Sequence, residues 1–245
     1  MSIKHHLKKI LYSKRFARVT VLSALRLHNF SYKVVSIFAP HIEADGLHPK
    51  HRIMKYHDFF LDNLSGTDEV LDVGCGNGAL SVDIARKTNK VVGIDIVPEN
   101  IAKAREFAEK SGLNNIEVIV GDATSYKTES KFDVIVLSNV LEHIEKRTEF
   151  LKKLTGLSSK FLIRVPLVER EWLAPYKREL GVEYRLDPTH FIEYTLEGFR
   201  EEIEGAELKI ASFEVRYGEI WSVCFTTQVS ENRLDQKRNG ICQRK

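Results

Sequence analysis

The chain has 245 residues, a length that suits one α/β domain with an appended segment. Hydrophobic residues make up 43% and charged residues 29%, a balance typical of globular proteins that bury a core. No apolar run approaches the roughly 18 residues that a transmembrane helix needs, and basic residues interrupt every apolar stretch near the start. The sequence therefore argues against a membrane-spanning protein or a secretory signal and favours a cytoplasmic one.

The net charge of +3 conceals an uneven distribution of charge along the chain. Residues 1–42 contain eight basic residues and no acidic residue, which leaves 29 basic against 34 acidic residues in the remainder. Such a basic arm on an acidic body indicates an anionic partner. We expect contact with a membrane surface, which would make the protein peripheral there, and consider nucleic acid the weaker choice. A solvated helix packed on the body is the alternative.

The cysteines and histidines do not form a recognisable metal or disulfide pattern. The three cysteines lie far apart, which argues against a disulfide framework and favours reduced thiols. A catalytic role for Cys75 lacks a nearby histidine or second cysteine in the sequence. His48, His51 and His57 have no acid or cysteine at ligand spacing, so we expect no metal.

The first elements in chain order are helices. The basic arm, residues 1–48, is predicted to be helical because Ile3, Leu7 and Ile10 follow the spacing of an apolar stripe. Proline and glycine residues then interrupt the pattern. A further helix is predicted over residues 50–64.

From about residue 66, short β-branched runs alternate with helical periodicity. Strands are predicted over residues 70–73, 90–96, 116–120, 132–138, 161–165, 207–215 and 220–226. Helices are predicted over residues 78–87, 98–112, 144–157 and 195–205. This alternation favours an α/β fold with a doubly wound, mostly parallel seven-stranded sheet, closed by an antiparallel hairpin. The predicted domains are the arm (1–48), the α/β domain (49–230) and a polar tail (231–245).

A glycine-rich turn follows the first predicted strand, in the segment Val70–Gly78. Glycines at this place let the backbone approach a ligand closely at the start of a helix. Ligands of open α/β sheets bind at the carboxyl ends of the strands, so the position predicts a cofactor site. The spacing of Gly74, Gly76 and Ala79, with Asp95 downstream, also fits a dinucleotide fingerprint, which keeps an NAD-dependent oxidoreductase open.

Further motifs follow the next three predicted strands. Asp72 precedes the glycines, and the segments Val91–Ile96, Val120–Ala123 and Phe132–His143 complete the set. Together they resemble the ordered motifs of the class I, Rossmann-like S-adenosylmethionine-dependent methyltransferases, of the type that acts on small molecules or glycans. The resemblance extends over residues 66–227.

The resemblance implies S-adenosylmethionine as the cofactor and a set of residues that contact it. The implied contacts are Asp72 with the loop or a water, Gly74 and Gly76 with the methionine part, Asp95 with the ribose hydroxyls, Ile96, Asp122 and Ala123 with the adenine, and Asn139 with the methionine end. Each aspartate has a structural alternative as a cap or turn residue, and the glycines have one as a tight turn.

Two histidines are the candidate catalytic residues. A base is needed only when the acceptor must lose a proton, and histidine titrates near neutral pH. His143 follows the fourth predicted strand, and His190 lies in Leu186–Thr195, a segment that resembles the active-site cover of relatives acting on small molecules or glycans. The alternative is that both histidines fix loops. The long connection 166–194 has the length and aromatic content of a binding loop.

The predicted function is transfer of a methyl group to a hydroxyl or carboxyl of a small molecule, sugar or lipid-linked glycan. Residues 46–53 resemble bacterial enzymes of surface-glycan type. An RNA methyltransferase that uses the basic arm and a non-catalytic, cofactor-binding adaptor are the alternatives. The sequence after the fourth strand lacks the Pro-Pro-Tyr-like motif of many DNA and protein amino-group methylators, which disfavours DNA.

Overall fold

A computed structural model describes residues 13–44, 48–128 and 131–228 of the chain. These residues divide into two compact units, one of described residues within 13–54 and 171–186 and one of described residues within 55–170 and 187–228. The predicted bounds at residues 48 and 230 do not coincide with this division and stay predictions. The predicted stripe from Ile3 to Ile10 and the polar tail lie outside the described residues.

The smaller unit is helical. Its helices are α1 (Lys14–Phe38) and α2 (Lys50–Met54), with a third, Leu173–Glu179, from the long connection. The hydroxyl of Ser13 accepts a hydrogen bond from the amide of Phe16 and thereby caps α1. Within the unit, the Asn29 side chain donates to the carbonyl of Glu183 at 2.7 Å. The connection predicted as a binding loop therefore contributes a helix to this unit.

The larger unit contains the sheet and the remaining helices. Its strands are β1 (Glu69–Val73), β2 (Lys90–Asp95), β3 (Ile116–Val120), β4 (Val134–Ser138), β5 (Lys160–Pro166), β6 (Leu208–Arg216) and β7 (Glu219–Thr226). Its helices are α3 (Tyr56–Asp62), α4 (Ala79–Ala85), α5 (Pro98–Ser111), α6 (Arg147–Leu154) and α8 (Leu196–Gly205). The helix Leu173–Glu179 of the smaller unit is α7 in chain order.

The strands form one seven-stranded sheet in the order β3-β2-β1-β4-β5-β7-β6. The pairs from β3 to β5 are parallel, while β7 pairs antiparallel with both β5 and β6. The central strands β4 and β5 are mostly apolar and are buried at nearly every position, as expected for a sheet with helices on both faces. The predicted doubly wound sheet with a closing hairpin is confirmed.

Predicted helix boundaries differ from the structure in two places. The helix predicted over residues 50–64 is interrupted at Lys55, whose φ of 45° places it in the left-handed region, where a helix cannot continue. The helix predicted from residue 144 begins at Arg147, because Leu141–His143 forms a separate 3-10 turn. Among the described ranges, no helix is both long and apolar enough to cross a bilayer.

Candidate active site

The site lies where the strand order reverses, at the carboxyl ends of β1 and β4. These two strands are neighbours although β2 and β3 separate them in sequence. At such a switch point the connections leave in opposite directions, and a crevice opens beyond the strand ends. Two adjoining parts form the site: the glycine loop (residues 74–78) after β1, and the acceptor edge (Asn139–His143 with His190) after β4.

The glycine loop has no space for side chains at two of its positions. Gly74, Gly76 and Gly78 all have positive φ, at 68°, 55° and 79°. A Cβ on Gly74 would lie 2.7 Å from Cγ2 of Val140, and one on Gly78 would lie 2.9 Å from the Cβ of Ala104. Glycine is therefore required here by conformation and by close approach together.

Two buried aspartates hold the glycine loop. The hydroxyl of Ser81 donates to Oδ2 of Asp72 at 2.5 Å, and burial raises the pKa of Asp72 to about 6. Oδ2 of Asp95 accepts from the amide of Gly76 at 3.0 Å, and Oδ1 accepts from the amide of Val97 at 2.8 Å. Asp95 thus connects the loop to the start of α5.

The residues predicted to contact adenine lie after β2 and β3. Ile96 is an apolar side chain that is 73% exposed, whereas Ala123 is buried. Oδ1 of Asp122 accepts from the amide of Thr124 at 2.8 Å and caps a 3-10 turn. The structural role as a turn residue, weighed as the alternative for Asp122, is present, and it uses only Oδ1.

Asn139 turns the chain at the end of β4. Its φ of 56° is left-handed, a conformation that asparagine tolerates better than most residues. Its amide hydrogen bonds to the carbonyl of Arg164 at 2.9 Å. Its side-chain oxygen is buried and has no hydrogen-bond partner among the described residues. A buried acceptor without a donor indicates a site for a polar ligand.

A cavity of about 170 Å³ adjoins the glycine loop. Asp72, Gly74, Cys75 and Ala79 line it, together with residues that the sequence did not single out for this site: Tyr56, His57, Asn77, Leu80, Ser138 and Arg164. Burial raises the pKa of the Cys75 thiol, so this cysteine stays protonated and is a poor nucleophile.

Arg164 is fixed by a buried ion pair. Its Nε and Nη2 donate to the two carboxylate oxygens of Glu219, at 2.6 and 2.9 Å. The guanidinium lies over the rings of Tyr56 and Trp221, at 4.3 and 5.0 Å from their centroids. These long-range partners lie on α3, β5 and β7, and no local sequence pattern brings them together.

His143 and His190 lie side by side although 46 residues separate them. Their ring centroids are 4.6 Å apart in an edge-to-face arrangement. The amide of Phe191 donates to the carbonyl of Glu142 at 2.8 Å, which holds the His190 segment against the end of β4. Burial and the neighbouring His190 lower the pKa of His143.

Glu142 completes this cluster and was missed by the sequence reasoning. Its carboxyl group is fully buried, and burial raises its pKa to about 8. One ligand atom from each of Glu142, His143 and His190 lies within 4.8 Å of the others. A glutamate inside the apolar run that ends strand four could have been noticed, because carboxylates are rarely buried without a role.

Comparison with known proteins supports the interpretation of this fold and site as a methyltransferase domain. A family model described as a methyltransferase domain matches residues 64–171. The magnesium protoporphyrin IX methyltransferase of Synechocystis, solved with S-adenosylhomocysteine, aligns over 91% of this chain and 99% of its own, with a TM-score of 0.58 and 19% identity. At that identity the likeness concerns the fold.

Two curated relatives show how broad the class is. The ubiquinone biosynthesis O-methyltransferase of Pseudoalteromonas translucida is 38% identical over 101 residues, covering 39% of this chain and 42% of the relative. An uncharacterized RNA methyltransferase of Oceanobacillus iheyensis is 34% identical over 108 residues, covering 42% of this chain and 23% of the relative. The chain thus spans less than half the length of either relative.

Residues 64–171 of the chain match a methyltransferase domain, and the fold is the one found in S-adenosylmethionine-dependent methyltransferases. The matched segment contains the glycine loop, Asp72, Asp95 and Asp122 on or after β1 to β3, and the acceptor edge up to His143. S-adenosylmethionine is the cofactor of this class of enzyme domain.

Proposed function

We propose that this protein transfers a methyl group from S-adenosylmethionine to a hydroxyl or carboxyl of a small molecule, sugar or lipid-linked glycan. The observation that carries the proposal is the contact of the acceptor edge with the glycine loop, through Val140 and Gly74. The acceptor edge that makes this contact also carries His143 and His190, which would act as the proton acceptors. The relative named as an O-methyltransferase supports an oxygen acceptor.

The residues after β1 and β2 would hold one half of the cofactor. Gly74 and Gly76 would present backbone to the methionine part, since no side chain fits at Gly74. Asp72 would keep this loop in place through Ser81. Asp95 would accept the ribose hydroxyls while it holds the amide of Gly76.

The remaining contacts would fix the two ends of the cofactor. Ile96, whose side chain is exposed, would pack on the adenine, and Oδ2 of Asp122, with Ala123 beside it, would accept a hydrogen bond from the adenine amino group. The unpartnered amide oxygen of Asn139 would accept a hydrogen bond from the methionine end.

When bound, the cofactor supplies a methyl group on a positively charged sulfur. The protein then needs to hold the acceptor oxygen in line with that methyl group, which supplies much of the acceleration. A hydroxyl must also lose its proton, and His143 or His190 would accept it. A carboxylate acceptor would need only positioning.

The first test is ligand-dependent stability of the full chain. S-adenosylhomocysteine should raise the melting temperature and NAD should not, because only a ligand that binds the folded state stabilises it. Release of S-adenosylhomocysteine should then be followed with hydroxyl, carboxyl, amine and RNA acceptors. Stabilisation by NAD alone would overturn the proposal, and turnover with RNA alone would assign a different acceptor class.

We further propose that α1 contacts an anionic membrane surface. Between Lys14 and Phe38 the helix carries five basic residues and no acidic one. Its exposed apolar side chains include Phe16, Val19, Leu27, Phe30 and Val35. Basic and apolar side chains on one exposed helix are the features of helices that lie at a membrane interface.

Vesicle sedimentation tests this contact. The full chain should bind vesicles rich in anionic lipid and not zwitterionic ones, and an Arg15→Glu, Arg18→Glu variant should lose binding. A Lys103→Glu, Lys110→Glu variant, altered on α5, should bind as the wild type does. Equal binding by both variants, or binding to RNA in place of vesicles, would reject the membrane contact.

A further inference from the structure

We propose that Glu142, His143 and His190 bind a divalent transition-metal ion. The inference deepens the proposed function and rests on it for the identity of the acceptor, because the cluster lies at the acceptor edge. It also departs from the expectation of no metal, which considered only His48, His51 and His57.

The three residues come from two separate segments that the fold brings together. Glu142 and His143 end the 3-10 turn after β4, and His190 precedes α8. One ligand atom from each lies within 4.8 Å of the others, so small side-chain rotations would bring all three to bonding distance. Glu142 and His190 are buried, whereas His143 is exposed, which leaves one open side.

The hydrogen bonds of the two histidines place the ring hydrogen on Nδ1, so Nε2 is the nitrogen that could bind a metal. Thr189 Oγ1 lies 2.6 Å from Oδ1 of Asp187 and 3.0 Å from Nδ1 of His143. The threonine hydroxyl donates its single proton to the carboxylate, so it must accept from the His143 ring. Nδ1 of His143 therefore carries the hydrogen, and Nε2 carries the lone pair.

His190 is oriented in the same way. Its Nδ1 lies 3.3 Å from Oε1 of Glu193, a carboxylate that also pairs with Arg170. A carboxylate only accepts, so Nδ1 of His190 donates and Nε2 carries the lone pair. Histidines that bind metals usually donate their other ring nitrogen to a carboxylate or another oxygen in this manner.

The carboxylate of Glu142 is the independent observation that points to a ligand. The residue is 0% exposed, and no other described residue donates a hydrogen bond to either of its oxygens. Buried polar groups are almost always hydrogen-bonded, and an unpartnered one needs an explanation. A cation between Glu142 and the two histidines would satisfy it.

The ligand set indicates the kind of metal. Two imidazoles with one carboxylate suit Zn²⁺, Fe²⁺, Mn²⁺ or Co²⁺ and leave coordination positions open. Mg²⁺ prefers oxygen ligands and octahedral geometry, so it should bind more weakly. An acceptor hydroxyl in an open position would lose its proton to water more readily. Its oxygen would then form the bond to the methyl group as the bond from methyl to sulfur breaks.

Metal binding by the full-length protein tests the proposal directly. The chelator-treated protein is titrated with Co²⁺, whose visible absorption reports coordination, and dialysed against Zn²⁺ for metal analysis. We expect one ion per chain and little competition from Mg²⁺. Glu142→Gln and His143→Ala should each weaken binding by more than about tenfold. Glu145→Gln, an exposed glutamate three residues along, should bind as the wild type does.

The outcomes separate this proposal from the proposed function. His143→Ala alters an exposed side chain, so its result is interpretable even if Glu142→Gln does not fold. Binding below one ion per chain, or binding that neither variant weakens, overturns the metal site. Stabilisation by S-adenosylhomocysteine is measured on the same samples without metal, and its loss would overturn the proposed function while leaving Co²⁺ binding to be judged separately.

Discussion

The glycine loop and the acceptor edge adjoin each other, but they differ in whether their buried polar groups have hydrogen-bond partners. In the glycine loop the protein satisfies its own groups, because Asp72 accepts from Ser81 and Asp95 accepts from Gly76. At the acceptor edge, the carboxylate of Glu142 and the amide oxygen of Asn139 are buried with no hydrogen-bond partner in the described ranges.

This difference shows which part of the site is complete before ligands bind. A loop whose geometry is fixed by internal hydrogen bonds can receive a cofactor of constant structure at low cost in ordering. Buried groups left without partners cost stability and persist where function requires them. We therefore expect the acceptor edge to determine the specificity, and four experiments test the contrast.

The largest effect should come from the ion pair beside both parts. Glu219→Gln would leave the buried charge of Arg164 without a counter-charge, and the free energy of unfolding should fall by about 3 to 5 kcal/mol. Glu207→Gln is the control, since its pair with Lys152 at 3.3 Å is exposed and should contribute little. Urea unfolding measures both, and equal effects would contradict the assignment of a buried pair.

Next in size is the strain that a methyl group would introduce into the glycine loop. Gly74→Ala should lower the free energy of unfolding by about 3 kcal/mol, because left-handed backbone and the contact with Val140 both oppose it. Gly112→Ala has the same φ within a degree but nothing within 4 Å, so it should lose only about 1 kcal/mol. If urea unfolding gave similar losses of free energy for the two variants, the close contact with Val140 would not be the cause.

The third effect concerns cofactor affinity rather than stability. Asp95→Asn should weaken binding of S-adenosylhomocysteine by about 100-fold, since hydrogen bonds to a charged group are lost at the loop. Asp133→Asn removes a similar bond, from the amide of Glu69 at 2.8 Å, at the opposite end of the strands. Calorimetric titration should show unchanged affinity there. Weakening by both variants would point to general destabilisation.

The smallest effect is a dependence on pH that comes from Asp72, at the end of β1. The pKa of Asp72 is about 6 in the folded chain against its ordinary value of 3.8, so near pH 5 the folded state retains a proton that the unfolded state has lost. The free energy of unfolding should therefore fall by about 1.4 kcal/mol as pH rises from about 5 to about 7.5. Subtracting the profile of Asp72→Asn isolates this contribution, and a flat or rising difference would contradict the raised pKa.

The sequence predicted the glycine loop and the sheet well because both are coded locally. Every strand was located within two residues, and the helix between Pro98 and Gly112 was bounded by those residues as expected. β-branched runs and capping residues act over a few positions, so a single sequence shows them. For the same reason Asp72 and Asp95 could be placed at strand ends from the motifs alone.

The acceptor edge was predicted only in part because it depends on residues distant in sequence. The sequence identified His143 and His190 separately, but not their contact with each other or with Glu142. Likewise, nothing local shows that Arg164 pairs with Glu219 or stacks on Tyr56. Pairing across crossovers decides such contacts, and one sequence without relatives carries no direct sign of it.

Gly74 and Val140 belong to different motifs, but because they are in contact, we expect substitutions at the two positions to be correlated. A side chain at position 74 would need the space that Cγ2 of Val140 fills, 2.7 Å away. Among homologous chains, we therefore expect a residue larger than glycine at position 74 only where position 140 has a residue smaller than valine. The left-handed backbone narrows the choice further, to asparagine or aspartate.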